Sequence, residues 1–147
     1  MKRILFFVML ALVLTGMSCK SMREKKQEKN GGSIPSAILV ENMDEYRDNA
    51  DFTITAVGVE GNIMTIDVQY SGGCQKHEFT LIGMKAIQKS LPPKRGVILF
   101  HNSNGDNCRS IVEEKLQFDI SVLAYEGGEI ILNLDTWATP ISYTKTK

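Results

Sequence analysis

The sequence predicts an all-β protein. From about Ile38 onward, apolar residues recur at every second position, which is the period of a half-buried strand. Short clusters of Gly, Asn and Pro separate these runs, as turns between strands require. Because stacked sheets and a closed sheet both bury one face of each strand, the pattern favours an antiparallel β-sandwich and keeps a small barrel as the alternative.

Seven segments carry the strand pattern, and together they predict a sandwich of immunoglobulin-like architecture. Glu60-Gly61-Asn62 joins the first two segments as a turn that permits positive φ and so closes a hairpin. Segments 43–49 and 85–90 are the weakest strand candidates, and a short helix or a turn is equally possible for each. The predicted strands are 52–59, 63–70, 77–82, 96–101, 115–122, 129–134 and 137–143, and the second turns Met64, Ile66, Val68 and Tyr70 toward the core.

Residues 1–18 are predicted to be a lipoprotein signal peptide. Lys2 and Arg3 precede an apolar run at 4–13, which is shorter than the roughly 20 residues that a membrane-spanning helix needs. Small residues then lead to Cys19. Gly16-Met17-Ser18-Cys19 resembles the lipobox of bacterial lipoproteins, with Gly16 in place of the usual Leu. The resemblance implies that Cys19 is lipidated; an ordinary signal peptide with a chance Cys is the alternative.

Residues 19–37 are predicted to be a flexible charged tether between the lipid and a β-sandwich domain at 38–147. The part from Lys20 to Gly32 holds five basic and two acidic residues and almost no apolar side chains. Near an anionic membrane such a stretch would add affinity of about 1 kcal/mol per charge. From Gly31 onward, fifteen acidic residues outnumber ten basic ones. The folded part therefore has no basic patch, and we expect no nucleic-acid binding.

Cys74 and Cys108 are predicted to form a disulfide. In an exported chain whose Cys19 carries lipid, they remain as an even pair in an oxidising compartment. They lie 34 positions apart, so closing the loop would contribute roughly 3–4 kcal/mol. Each follows a predicted strand, which favours two loops that meet at one end of the sandwich.

One histidine accompanies each cysteine, so two other hypotheses remain open. A zinc or copper site could use His77 and His101 with the two sulfurs, which a disulfide would exclude. A thiolate nucleophile could use either histidine as base, with Asp106 orienting it. The oxygen-rich run 102–107 also resembles a calcium loop, but it lacks the EF-hand spacing and distal Glu and fits a turn better. We predict no catalytic residue, bound metal or cofactor.

Two stretches around these residues resemble a known family. Tyr70 to Phe79 reads YSGGCQKHEF, and His101 to Cys108 reads HNSNGDNC. They resemble the patterns YSGGCxxHxF and HNxNGDxC of small bacterial envelope lipoproteins with a β-sandwich domain, and the carboxy-terminal domain of NigD-like lipoproteins is similar. The resemblance covers about residues 65–121. It implies an exported β-sandwich lipoprotein and carries no activity with it.

These observations predict a non-enzymatic, lipid-anchored protein of the bacterial cell envelope, facing the periplasm or the cell surface. Its sandwich would act as an interaction or accessory module, with the membrane contacted through the lipid and another envelope protein as partner. The alternative is a periplasmic protein that binds zinc or copper through His77 and His101.

Overall fold

A computed structural model of the chain describes residues 33–46 and 49–147. The predicted signal peptide at 1–18, the lipidation of Cys19 and most of the tether at 19–37 therefore lie outside the described residues. Within the described ranges, the structure contains no helix with the length and apolar character needed to cross a membrane.

The described residues form eight strands and two single-turn 3-10 helices at Asp44–Tyr46 and Ser121–Leu123. The strands are β1 (Ile38–Val40), β2 (Thr53–Glu60), β3 (Ile63–Gly72), β4 (Glu78–Met84), β5 (Lys94–Asn102), β6 (Ser110–Asp119), β7 (Ile130–Leu134) and β8 (Ile141–Tyr143).

The strands form two sheets, and the predicted all-β sandwich is confirmed. One sheet has five strands in the order β1-β4-β5-β7-β8, and the other has three in the order β2-β3-β6. The described strands stack as two sheets and do not close into a barrel. Gly61, at φ 59°, lies in the turn between β2 and β3, where the sequence predicts a hairpin.

The five-stranded sheet is mixed, whereas the sequence predicts only antiparallel neighbours. β1 pairs with β4 in parallel, and β5 pairs with β7 in parallel. Between β1 and β4 the chain forms β2 and β3 of the three-stranded sheet. Between β5 and β7 it forms β6 of that same sheet. Such a crossover returns the chain in its original direction, which produces parallel neighbours.

The strand pattern locates most elements but misjudges their ends. β6 begins at Ser110, five positions before the predicted start, because its first half is largely exposed and lacks alternation. β1 has only three residues, too few to show a period. Segment 43–49 contains a 3-10 turn, and segment 85–90 contains no strand. β8 begins at Ile141 instead of Trp137, after a bend at Thr139 and directly after Pro140.

The core lies between the two sheets, and the predicted core face of β3 is confirmed. Met64, Ile66, Val68 and Tyr70 alternate with partly exposed neighbours and are all buried. Burial of each such apolar side chain stabilises the folded state by roughly 1.5–3 kcal/mol. They pack with buried residues of the other strands, including Leu81, Val97, Leu99, Leu116, Phe118, Ile130, Leu132 and Tyr143.

The packed part of the chain begins a few residues before Ile38. The amide of Ala37 donates to the carbonyl of Asp119 at 2.8 Å, and the amide of Asp119 donates to the carbonyl of Pro35 at 2.9 Å. Ala37 itself is buried in the core. The last residues of the predicted tether are therefore part of the folded unit.

Candidate functional site

Two loops that cross between the sheets lie side by side at one end of the sandwich. Residues 73–77 connect β3 to β4, and residues 103–109 connect β5 to β6. Gly72 pairs with Ser110 where both loops meet the three-stranded sheet, and Glu78 pairs with Asn102 where both meet the five-stranded sheet. Strand register thus brings together loops that are distant in sequence. We call this pair of loops, with the buried side chains beneath it, the tip.

A disulfide joins the two loops of the tip. Cys74 and Cys108 are bonded with their Cα atoms 5.9 Å apart, which is the pairing that the sequence predicts. Their sulfur atoms are therefore not thiolates. The metal hypothesis loses two of its four ligands in this structure, and the thiol hypothesis loses its nucleophile.

Asp106 lies at the centre of the tip and binds backbone amides of both loops. Its Oδ2 accepts hydrogen bonds from the amides of Cys74 and Gln75, each at 2.9 Å, and its Oδ1 accepts one from the amide of Cys108 at 2.8 Å. These bonds, that of Gln75 foremost, hold the pKa of Asp106 far below the usual range of a carboxyl group. Asp106 is therefore a carboxylate at any physiological pH.

The two histidines continue from Asp106 as a chain of polar contacts. Nε2 of His77 lies 3.2 Å from Oδ2 of Asp106, and Nδ1 of His77 lies 2.7 Å from Nε2 of His101. Nδ1 of His101 then lies 3.2 Å from the carbonyl oxygen of Ala50, in the segment before β2. Both residues are buried, with 7% of His77 and 1% of His101 exposed. The histidines of the two sequence stretches are thus direct partners.

Aromatic rings enclose the histidine pair. Tyr70 stacks on His77 with ring centroids 4.4 Å apart, and Phe79 stacks on His101 at 4.3 Å. Phe52 meets His101 edge-on at 5.7 Å. This burial lowers the pKa of His101, and the neighbouring His77 lowers it further.

Tyr70 also has a polar partner, which belongs to the same cluster. Its hydroxyl donates to Oε2 of Glu114 on β6 at 2.8 Å. Burial raises the pKa of Tyr70, and the bond to Glu114 raises it further, so the hydroxyl keeps its proton. Tyr70, which stacks on His77, therefore links β3 to β6 next to the histidine pair.

The nitrogen atoms of the histidines are too close together to share a metal ion. Two nitrogens bound to one tetrahedral zinc at about 2.0–2.1 Å would lie about 3.3 Å apart, whereas these lie 2.7 Å apart. Ligand atoms of Cys74, Asp106 and Cys108 also cluster within 4.8 Å, but the sulfurs are bonded to each other and Asp106 binds amides. The geometry of the tip does not favour the zinc or copper hypothesis.

The oxygen-rich run 102–107 forms a turn, in agreement with the turn interpretation. Oδ1 of Asn102 accepts from the amide of Asn104 at 2.9 Å, and Asp106 donates its amide to the carbonyl of Ser103 at 3.0 Å. Asn104 and Gly105 both have positive φ, 50° and 74°. The side-chain oxygens of Asn102 and Asp106, which a calcium ion would use, are thus bonded to backbone amides of the tip.

Sequence reasoning selected the cysteines, the histidines and Asp106, but it missed three features that hold them. These are the carbonyl of Ala50, the Tyr70–Glu114 pair and the bare Cα of Gly72. A Cβ at Gly72 would lie 2.6 Å from Nε2 of His77. The Gly72-Gly73 doublet directly before Cys74 was the available signal for that close approach.

Two stacked sheets with a cross-linked, internally bonded tip place this chain in the class of β-sandwich proteins. No protein-family model matches it, and no curated protein matches it significantly. Among solved structures it is similar to a NigD-like immunity protein from Bacteroides caccae, with a TM-score of 0.51, 16% identity, and coverage of 76% of this chain and 60% of that one. The similarity shows a shared fold, and this chain spans 60% of that protein's length.

Two further solved structures match less well. A protein of unknown function from Bacteroides vulgatus has a TM-score of 0.47 and 15% identity over 78% of this chain and 57% of that chain. A toxin-related protein from Parabacteroides distasonis has a TM-score of 0.48 and 18% identity over 75% of this chain and 59% of that chain.

Proposed function

We propose that this chain is a non-enzymatic, lipid-anchored protein of the bacterial cell envelope whose β-sandwich binds another envelope protein through the tip. The observation that carries the proposal is that the reactive groups of the tip are bonded to one another. The sulfurs form a disulfide, Asp106 binds three amides, and the histidines bind each other. These groups hold loops in place and are not presented to a substrate.

A loop pair fixed in this way suits recognition, because binding then costs little additional ordering. The surface of the tip carries exposed polar and basic side chains, namely Gln75, Lys76, Asn104, Asn107 and Arg109. Loops held by a rigid scaffold are a common place for binding residues. The similarity to a solved protein described as an immunity protein is in keeping with a binding role.

Export and lipid anchoring rest on the amino-terminal sequence and agree with the disulfide. Residues 1–18 have the organisation of a signal peptide, and Cys19 follows them. Disulfides persist mainly in oxidising compartments, so the Cys74–Cys108 bond fits an exported protein. The basic residues after Cys19 would lie next to anionic lipid head groups.

Lipid anchoring is tested by expressing the full chain in a bacterium supplied with a labelled fatty acid. We expect label on the wild-type protein, recovery in the membrane fraction, and loss of both on Cys19→Ala. The variant Cys74→Ala/Cys108→Ala is the matched control and should keep the label. A Cys19→Ala protein that still carries label in the membrane fraction would contradict the proposal.

Recognition through the tip is tested by site-specific photo-crosslinking in living cells. A photoreactive amino acid placed at Gln75 should give a discrete adduct with another envelope protein. The same group at Gln117, which is exposed on β6 away from the tip, is the control and should give none. No adduct from Gln75, or the same adduct from both positions, would count against binding at the tip.

A further inference from the structure

The polar chain at the tip begins and ends on an atom that can only accept a hydrogen bond. These atoms are Oδ2 of Asp106 at one end and the carbonyl oxygen of Ala50 at the other, each 3.2 Å from a ring nitrogen. The third contact, 2.7 Å long, lies between the two rings. Three hydrogen bonds through four ring nitrogens require three protons, whereas two neutral imidazoles carry only two.

We propose that His77 and His101 share these three protons as one buried monocation, neutralised by Asp106, and that this cation stabilises the tip most strongly within a window of pH. His77 is the ring with two protons, because it faces the carboxylate. His101 is the neutral ring, and it donates from Nδ1 to Ala50 and accepts at Nε2. The lowering of the pKa of His101 by burial agrees with this assignment.

The surroundings suit one positive charge. A buried charge is costly unless it is paired and hydrogen-bonded, and Asp106 meets both conditions with a side chain only 1% exposed. The ring of Tyr70, stacked on His77 at 4.4 Å, adds a cation–π attraction. Glu114, which accepts from Tyr70, is a second negative charge nearby.

The remaining elements around the pair bring few further charges. The rings of Phe52, before β2, and Phe79, on β4, are apolar. Asp51 contributes a backbone hydrogen bond to His101, which raises the pKa of that ring. Lys76 and Glu78, on either side of His77 in the sequence, are exposed to solvent and their charges are screened.

Both the loss and the gain of a proton break the chain. Removing the third proton leaves two acceptors facing each other across one of the three contacts. Adding a fourth places two N–H groups against each other across the 2.7 Å gap between the rings. In either state the tip loses a buried hydrogen bond and is less stable, although the disulfide still joins its two loops.

The linkage between folding and protons sets the centre of this window. An unfolded chain with two histidines of pKa about 6.5 holds on average one extra proton near pH 6.5, the same number as the folded pair. Below that pH the unfolded state binds more protons, so stability rises with pH; above it the folded state binds more, so stability falls with pH. The contribution of the pair therefore peaks at about pH 6.5.

The proton count is tested by ¹⁵N NMR of the imidazole rings in the full chain, purified in detergent. The chain has two histidines, so every ring signal belongs to this pair. At pH 6.5 we expect three protonated nitrogens, with the inter-ring proton protected from exchange with water. One protonated nitrogen on each ring would overturn the proposal.

The pH window is tested by urea unfolding of the wild type and of His77→Gln/His101→Gln between pH 4.5 and 8.5. The difference in stability between them should be bell-shaped and peak near pH 6.5, with the unfolding constant changing by up to about tenfold per pH unit on each side. A flat or monotonic difference would overturn the proposal. If the double variant does not fold, the wild-type curve must show the same maximum.

Discussion

At the scale of single residues, Gly72 lies where any side chain would disturb the contact between His77 and Asp106. A Cβ there would lie 2.6 Å from Nε2 of His77 and 3.2 Å from Oδ2 of Asp106. We expect Gly72→Ala to lower the free energy of unfolding by about 1–3 kcal/mol, as overpacking of a filled site does. Urea unfolding measures the change.

Gly58→Ala is the matched control for this substitution. Gly58 also lies in a strand, β2, but a Cβ there would meet nothing within 4 Å. It should leave stability unchanged or raise it by about 0.4–1 kcal/mol, because Ala restricts the unfolded chain. Equal losses at Gly72 and Gly58 would show that space around His77 is not the cause.

Asp106 is the residue on which both loops depend, and we expect Asp106→Asn to destabilise the protein at neutral pH. A neutral amide accepts from the surrounding amides more weakly and cannot neutralise the histidine pair. The folded pKa of Asp106 lies below its unfolded value. Its contribution is therefore complete above the unfolded pKa of about 3.9 and is lost as pH falls toward the folded value.

Urea midpoints measured from pH 3 to 7 test this prediction. The gap between the wild type and Asp106→Asn should narrow as the pH falls below about 4, where Asp106 of the unfolded chain takes up its proton, and any change in the gap at higher pH should follow the histidine pair. Asp135→Asn, at an exposed position in the turn after β7, should show no such gap. A gap that widens toward low pH would mean that the carboxylate is not held by the loop amides.

At the scale of elements, the disulfide joins two crossover loops whose strands already pair with each other. It closes a loop of 34 positions, so reduction should lower the free energy of unfolding by about 3–4 kcal/mol. Urea unfolding with and without a reductant measures the effect. Cys74→Ser/Cys108→Ser should be less stable from the outset and insensitive to reductant; equal sensitivity in both proteins would rule out the bond as the cause.

Arg95 holds the loop after β4 to the 3-10 helix at Ser121–Leu123. Its buried guanidinium donates from Nε to the carbonyl of Leu123 at 3.1 Å, and from Nη1 to the carbonyls of Met84 and Lys85. Arg95→Met would leave these carbonyls without their donor. We expect a loss of about 1–3 kcal/mol in urea unfolding.

Lys94→Met is the control for Arg95, because Lys94 is the exposed neighbour on the same strand. Like Arg95→Met, this substitution replaces a positive charge with a methionine side chain, but it leaves no buried carbonyl without a donor. It should therefore change the free energy of unfolding by less than about 0.5 kcal/mol. Similar losses at both positions would indicate a general effect of charge on β5.

At the scale of the whole molecule, Asn62 ties the β2–β3 turn of one sheet to the end of the chain beyond β8 in the other. Its Oδ1 accepts from the hydroxyl of Tyr143 and the amide of Thr146, and its Nδ2 donates to the carbonyl of Thr146, each at 2.9 Å. We expect Asn62→Ala to speed amide hydrogen exchange throughout β8, because this edge strand loses its connection to the second sheet. Asn133→Ala, on the exposed face of β7, should leave that exchange unchanged, and equal acceleration in both would contradict the role of Asn62.

The fold was largely predictable because β3 and the second half of β6 show their buried face in their own sequence. Alternation in β3 identified Met64, Ile66, Val68 and Tyr70 as core residues, and all four are buried. The early start of β6, the three residues of β1 and the two parallel pairings were not predictable. An exposed strand end has no period, and pairing between strands that are distant in sequence leaves no local pattern.

For the tip, the residue types and the disulfide could be predicted from the amino-acid sequence alone. An even pair of cysteines, in a chain whose amino-terminal sequence predicts export, is enough to predict the bond between Cys74 and Cys108. The mutual contact of the two histidines could not be predicted in this way, because it forms only when the chain is folded. His77 and His101 lie 24 positions apart, and His77 and Asp106 lie 29 apart. Their contacts depend on two crossover loops lying side by side, and strand register between β3 and β6 and between β4 and β5 sets that arrangement.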